Sequence, residues 1–217
     1  MKLPIKDRTT AGQHLAQALS AYQDREDVLV LALPRGGVTV AHQVAKALNV
    51  KLDILLVRKL GCPGQKELAM GAIASGGLRV LNDDVVRLLA IPDKVIDEVA
   101  AEEQRELERR ERAYRGEHSR PEIASKYIIL VDDGIATGAT MRAAIAALRQ
   151  QNPAGIIVAV PVAPAKTIEL LAGEADKVIC LATPEPFTAI GNWYMDFSQV
   201  PDQQVNQILS QAWMDSS

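Results

Sequence analysis

The sequence predicts an α/β fold: a doubly wound, mostly parallel sheet with helices on both faces, a helical insertion and a small C-terminal hood. Three observations predict it. Continuously apolar, β-branched runs recur along the chain, as they do in strands covered on both faces. Amphipathic helical patterns lie between several of them, and strand–helix alternation implies right-handed crossovers. The chain has 217 residues, 48% hydrophobic and 24% charged, a length that suits one domain over 1–217 better than two independent cores.

The runs are "DVLVLALP" at 27–34, "LDILLVR" at 52–58, "YIILVDD" at 127–133, "GIIVAVPV" at 155–162 and a weaker "DKVICLA" at 176–182. The helical segment at 37–48 places Val40, Val44, Ala47 and Leu48 on one stripe, and 138–151 does the same with Met141, Ala144, Ile145 and Leu148. Two segments break the alternation. Residues 67–82 read as two short strands joined at Ser75-Gly76-Gly77, a hairpin signal. Residues 83–115 read as helical and heavily charged, within an insertion over about 83–125. Glu106–Arg110 and Glu108–Arg112 stand at the favourable i,i+4 spacing. No apolar heptads follow Val99, so a solvated face or a partner-binding arm fits better than a coiled coil.

Net charge is −3, with no long basic block, which argues against a reader of nucleic-acid backbones. It leaves a phosphorylated small molecule open, because backbone N–H groups bind phosphate without net positive charge. Cys62 and Cys180 fit neither a metal knuckle nor a disulfide framework. His14, His42 and His118 show no triad spacing. No apolar run reaches bilayer length and the first residues lack a signal-peptide core, so a cytoplasmic protein with no membrane partner is expected.

The chemistry concentrates in "ILVDDGIATGAT", 129–140. Ligands of open parallel sheets sit outside the carboxyl ends of the strands, and Asp132 and Asp133 fall at that edge. Gly134 and Gly138 let the following turn curl with its amides inward, Thr137 and Thr140 add hydroxyl donors, and the helix from Ala139 adds its positive end. Such a turn suits a phosphate monoester. The acids suit the vicinal hydroxyls of a ribose and a divalent cation. A plain Asp-Gly turn capping a helix explains one acid and one glycine but not both threonines.

These residues resemble the phosphoribosyl pyrophosphate (PRPP) loop of the type I phosphoribosyltransferases. The resemblance implies that Asp132 and Asp133 hold the ribose hydroxyls, while Ala136, Thr137, Gly138, Ala139 and Thr140 surround the 5′-phosphate. A pyrophosphate site is then required. "ALPRGGVTVA" offers Arg35 with Gly36 and Gly37 at the next helix start. The family binds pyrophosphate at this turn, often through a cis peptide, here Pro34–Arg35. Pro34 as a simple strand stop is the plainer alternative. Arg58 and Lys59, placed at the same carboxyl edge, correspond to a basic pair on the pyrophosphate. "LGCPGQKE" corresponds to a loop that closes over the site, with Lys66 and Glu67 as closing residues or as a solvated surface pair.

Near the C-terminus, "PFTAIGNWYMDFSQ" gathers aromatics in a chain only 4% aromatic. It resembles the family's acceptor-stacking hood, over about 183–200, with Phe187 on the ring, Asp196 nearby, and Trp193 or Tyr194 as substitute faces. A terminal hydrophobic plug explains the same residues. Ala136 stands where the 6-oxopurine enzymes carry an acid, and their lysine, expected around Pro161, is missing too, so hypoxanthine and guanine are disfavoured. Glu67 and Asp196 remain as candidate acid or base groups.

The resemblance thus implies a glycosyltransferase of nucleotide metabolism, a pentosyl transfer from PRPP to a nitrogenous base with release of pyrophosphate. Mg²⁺ would arrive with PRPP, with Asp132 and Asp133 as its candidate protein ligands, and a homodimer is left open. A non-catalytic PRPP-sensing regulator on the same scaffold is the alternative.

Overall fold

The computed structural model describes residues 2–214, except the side chains of Lys66 and Glu67. Its central sheet is parallel throughout, in the order β2-β1-β6-β7-β8. The strands are β1 (Val28–Ala32), β2 (Lys51–Ile54), β6 (Tyr127–Val131), β7 (Gly155–Val162) and β8 (Lys177–Ala182). Side chains alternate between two cores, as a period of two requires. Val28, Val30 and Ala32 enter one core, with Ile129 and Val131; Leu29, Leu31 and Leu33 enter the other, with Ile128 and Leu130.

Helices α1 (Arg8–Ala18), α2 (Gly36–Leu48) and α7 (Asp202–Met214) cover the first face, and α5 (Ala139–Arg149) and α6 (Ala165–Ala172) the second. The expected doubly wound α/β architecture is therefore present. β1 and β6 are neighbours, yet β1 leads into α2 on one face and β6 into α5 on the other. The loops part at this point and leave a crevice at the carboxyl edge.

The run at 52–58 is not one strand. Leu55 still donates its N–H to the Ala32 carbonyl, but Leu56 exchanges bonds with Ser75, and Val57 opens a second sheet. This sheet is antiparallel, with β3 (Val57–Cys62), β4 (Gln65–Ala74) and β5 (Leu78–Leu81) in that order. Arg58 and Lys59 accordingly lie inside β3 rather than at the end of a parallel strand. The "LGCPGQKE" segment is also different from the expected open loop. It is the tip of the β3–β4 hairpin, turned at Pro63-Gly64, where Pro fixes φ at the first corner and Gly supplies the positive φ of +75° at the second. The second hairpin turns at Ser75-Gly76-Gly77, as its residues foretold.

The charged segment divides into α3 (Asp83–Leu88) and α4 (Asp93–Arg115), separated by Ala90 at φ +47° and by Pro92. α4 has the expected solvated face, and opposite it a buried one. Ile96, Ala100, Leu107 and Tyr114 form a stripe buried in the first core. Its charges are buried in pairs where they are buried at all: Arg115 bridges to Asp53 at 2.8 Å, and Glu111 to Arg120 at 2.6 Å. Glu106 does pair with Arg110, whereas Glu108 accepts from Gln104.

The segment 183–200 returns over the sheet's carboxyl edge and is stitched to the N-terminus: Ile5 donates to the Trp193 carbonyl and accepts from Met195. Ile5, Val162 and Tyr194 form a third small core beneath it. Among the described residues no helix is long and apolar enough to cross a membrane. Leu107, fully buried on α4, tests this placement. Leu107→Ala should lower the unfolding free energy by about 2–5 kcal/mol in urea titration, whereas a change within about 0.5 kcal/mol would return α4 to the surface.

Candidate functional site

The crevice between β1 and β6 is closed by an unusually near approach of their two turns. Leu33 donates to the Val131 carbonyl at 2.9 Å, and the chain then passes through Pro34, Arg35, Gly36 and Gly37 into α2, with the Pro34–Arg35 bond cis. A Cβ on Gly36 would stand 1.8 Å from an Asp133 carboxylate oxygen, and one on Gly37 would stand 3.0 Å from the Asp132 Cα. No side chain fits at Gly36. The diglycine and the paired acids are therefore two halves of one contact.

Asp133 is buried and is held by Arg8, whose Nε donates to its carboxylate at 2.7 Å. The same guanidinium donates to the Ser198 carbonyl at 2.7 Å and lies 3.9 Å over the Phe197 ring. Tyr194 donates its hydroxyl to the Asp133 carbonyl oxygen at 2.7 Å. Asp132 accepts from the Asp133 N–H at 2.8 Å. Burial pushes both carboxyls above their ordinary range. The neighbouring Asp133 charge pushes Asp132 further, while Arg8 opposes the rise at Asp133.

Beyond the acids, Ile135 is buried and donates to the Val162 carbonyl, pinning the turn from below. Ala136, Thr137, Ala139 and Thr140 stand exposed above it, and Gly138 adopts φ +79° at the start of α5. Thr167 donates its hydroxyl to the Ala136 carbonyl at 2.9 Å. Gly134 does not serve the curl for which its residue type was read. It admits the hood, since a Cβ there would meet Ile190 at 2.5 Å.

The expected cations separate. Arg35, Arg58 and Thr140 line one narrow cavity of about 50 Å³ at the crevice. Arg35 stands 3.8 Å from Asp202 of α7, and Arg58 pairs through its Nε with Glu103 of α4. Lys59 instead lines a wider hollow of about 670 Å³ between the antiparallel sheet and α5, with Ala139 and Arg142. Successive residues of a strand face opposite sides, so Arg58 and Lys59 do not act as one basic pair. A still larger hollow, about 1000 Å³, lies among residues such as Lys46 and Lys51 at the amino edge of the sheet. Size does not select the site. The narrow cavity does, because it joins β1, β3 and α5 beside the acids.

In the hood, Phe187 lines a cleft of about 550 Å³ with Lys166, Glu185 and three prolines, and its ring centroid is 6.2 Å from that of half-buried Trp193. Tyr194 is buried and engaged below Asp133, so it offers no stacking face. Asp196 also departs from expectation. It accepts from the Ser198 hydroxyl and from the Ser198 N–H, bonds that hold its carboxyl below the usual range, and it does not line the Phe187 cleft. It caps a turn. The Lys66 and Glu67 side chains lie outside the described residues.

Arg8 was not foreseen. It lies 125 positions from Asp133, and nothing local marks it among ordinary surface arginines of an amphipathic helix. Among the described residues, no group of three or more His, Cys, Asp or Glu side chains could hold a metal on its own.

The chain is similar to known proteins over most of its length. The model of the phosphoribosyl transferase domain family matches residues 4–188. A Mycobacterium tuberculosis protein, provisionally named a phosphoribosyl transferase, is 46% identical over 99% of this chain and 48% of its own length. The chain thus spans about half the length of that relative. The crystal structure of TT1426 from Thermus thermophilus is 40% identical and superposes with a TM-score of 0.87, covering 95% of this chain and 98% of that one. The match across most of the chain places this protein in the phosphoribosyl transferase domain family.

Proposed function

We propose that this protein transfers the 5-phosphoribosyl group of PRPP to a nitrogenous base and releases pyrophosphate. One observation supports it above the others: the Gly36–Asp133 contact sets an arginine-lined cavity, a pair of acids and an exposed Thr-Gly-Ala-Thr turn side by side at one edge. An activated sugar phosphorylated at two positions needs these three features together.

In this reading Asp132 and Asp133 accept hydrogen bonds from the two ribose hydroxyls. Backbone N–H groups of 136–140, the hydroxyls of Thr137 and Thr140 and the start of α5 take the 5′-phosphate. Arg35, Arg58 and the amides at Gly36 and Gly37 take the pyrophosphate, which leaves with the electron pair of the broken C1–O bond as the acceptor nitrogen bonds to C1. Donors fixed in advance stabilise that leaving charge without reorganising. Mg²⁺ bound with PRPP would neutralise further charge on the leaving group. The residues fit it, since this cation uses one or two carboxylates and completes its shell from phosphates and water. Phe187 offers a face for the acceptor. Asp196, held ionised by Ser198, is a poor proton acceptor, and the acceptor proton is left to another group.

Incubation with PRPP, Mg²⁺ and a panel of nucleobases should release pyrophosphate with at least one of them. Tight PRPP binding without release from any would support a sensor of PRPP instead. Asp132→Asn provides a second check. It should weaken PRPP binding by about 1.5–3 kcal/mol in calorimetry, the scale of hydrogen bonds to a charged group. Unchanged affinity would remove Asp132 from the ribose.

The same variant should be more stable than the parent at neutral pH. Because the native Asp132 carboxyl titrates above its ordinary value of 3.8, the native state holds this proton more tightly than the unfolded chain does. Stability present below the unfolded value is therefore lost as pH rises through the native one. Asp132→Asn should flatten that loss in thermal melts between acid and neutral pH, and an equal pH slope in both proteins would contradict it.

A further inference from the structure

The narrow cavity at the crevice has a third cationic wall. Arg110 of α4 lines it together with Arg35 from the β1 turn and Arg58 from β3, beside the hydroxyls of Tyr114 and Thr140. Among the described residues no carboxylate lines this cavity. Each arginine is steadied by an acid outside the lining: Arg110 by Glu106 at 2.8 Å, Arg58 by Glu103, and Arg35 by Asp202 at 3.8 Å. Asp202 is itself fixed by the Tyr114 hydroxyl, which donates at 2.6 Å.

The donor count shows what is left over. Arg58 and Arg110 each use only the Nε–H in these hydrogen bonds, and the Arg35 guanidinium makes an ion pair but no hydrogen bond among the described residues. A guanidinium carries five N–H donors in a planar fork matched to phosphate oxygens. Three such forks around an acid-free hollow repel one another and gain most from a compact ligand with many anionic oxygens.

We propose that Arg110 binds the pyrophosphate moiety of the substrate, so that α4 forms a wall of the substrate site. This rests on the reading of the protein as a PRPP-binding transferase. The cavity is small, and an entering diphosphate widens it by drawing the arginine forks from their carboxylates onto phosphate oxygens. A ribose carrying only the 5′-phosphate has no group to place there. Arg110 therefore discriminates the activated sugar from its monophosphate.

The alternative for Arg110 is an ordinary i,i+4 pair on an exposed helix face, worth at most about 1 kcal/mol and indifferent to ligand. Arg109 supplies the control, since it bonds the same Glu106 at 2.7 Å and does not line the cavity.

The experiment measures binding of pyrophosphate with Mg²⁺, and of ribose 5-phosphate, to the parent, Arg110→Ala and Arg109→Ala proteins by calorimetry. Arg110→Ala should weaken pyrophosphate binding about tenfold or more and leave ribose 5-phosphate within about twofold, with Arg109→Ala unchanged for both. Arg110→Lys should recover only part of the loss, because an ammonium lacks the fork. If the parent binds pyrophosphate and Arg110→Ala binds it equally well, or if Arg109→Ala loses as much, the role of Arg110 is overturned while the transferase reading stands. If the parent binds neither pyrophosphate nor PRPP, the transferase reading fails and takes this inference with it. Circular dichroism establishes that each variant keeps its fold, and exposed Arg110 lies outside the core stripe of α4.

Discussion

Two carboxylates lie side by side, one buried and one half-buried, and the buried one is clamped by an arginine from the far end of the chain. Burying Asp133 would be prohibitive without a partner, because an unpaired buried charge is among the costliest defects a fold can carry. Arg8 supplies the partner, and its other contacts spread the consequence. One guanidinium joins α1 to the β6 turn, to Ser198 and to the Phe197 face. The first helix, the acids and the hood are thereby fixed with respect to one another. A buried ion pair of this type contributes little net stability compared with a well-packed apolar replacement. It holds a carboxylate in a position where water-exposed flexibility would not.

That position matters because of where the sheet changes direction. β1 and β6 are the neighbours whose following helices pass to opposite faces, so their carboxyl ends are the one place in the parallel sheet where two loops diverge. The loops could have left a wide cleft. Instead the bare backbone of Gly36 lets the Arg35 turn come down onto Asp133, and the hood presses Ile190 onto Gly134. Absent side chains at these positions are what allow the diglycine turn, the hood and the acidic pair to adjoin. Their charges are of opposite demand, and in the proposed reading a ligand with hydroxyls at its centre and phosphates at its ends answers both.

Much of this was legible from residue order, where the relevant signal is local. Continuous β-branched runs gave the parallel strands, and the string from Asp132 to Thr140 announced its turn. Legibility failed where long-range packing overrode local pattern. The run from Ile54 to Val57 is uniformly apolar, so periodicity could not reveal that Leu56 turns aside to pair with Ser75. That misplacement carried Arg58 and Lys59 with it, and the strand's alternation then separated them. The buried face of α4 was hidden for a related reason. Its buried positions are spaced among arginines and glutamates that cover the opposite face, and Glu111 and Arg115 are buried as pairs rather than solvated. Arg8 was invisible because its partner is distant in the chain.

The placement of countercharges explains how such a site stays intact before any substrate arrives. The chain carries a net charge of −3, yet its crevice gathers arginines against an acid-free wall. A bare cluster would drive its members outward into water, and the fork geometry needed for phosphate would be lost. Glu103, Glu106 and Asp202 stand just behind the lining and hold the arginines in place. On the other side of the crevice Arg8 does the same for Asp133. Arg35, Arg58, Arg110 and Asp133 are thus each balanced by a partner set back from the cavity. Binding then becomes an exchange of one set of ionic contacts for another, and its free energy is a difference between two large terms. This favours discrimination over sheer tightness. In the proposed reading, a ligand with one phosphate would disturb the arrangement without replacing all of it, whereas a ligand charged at both ends would replace more of the contacts it displaces.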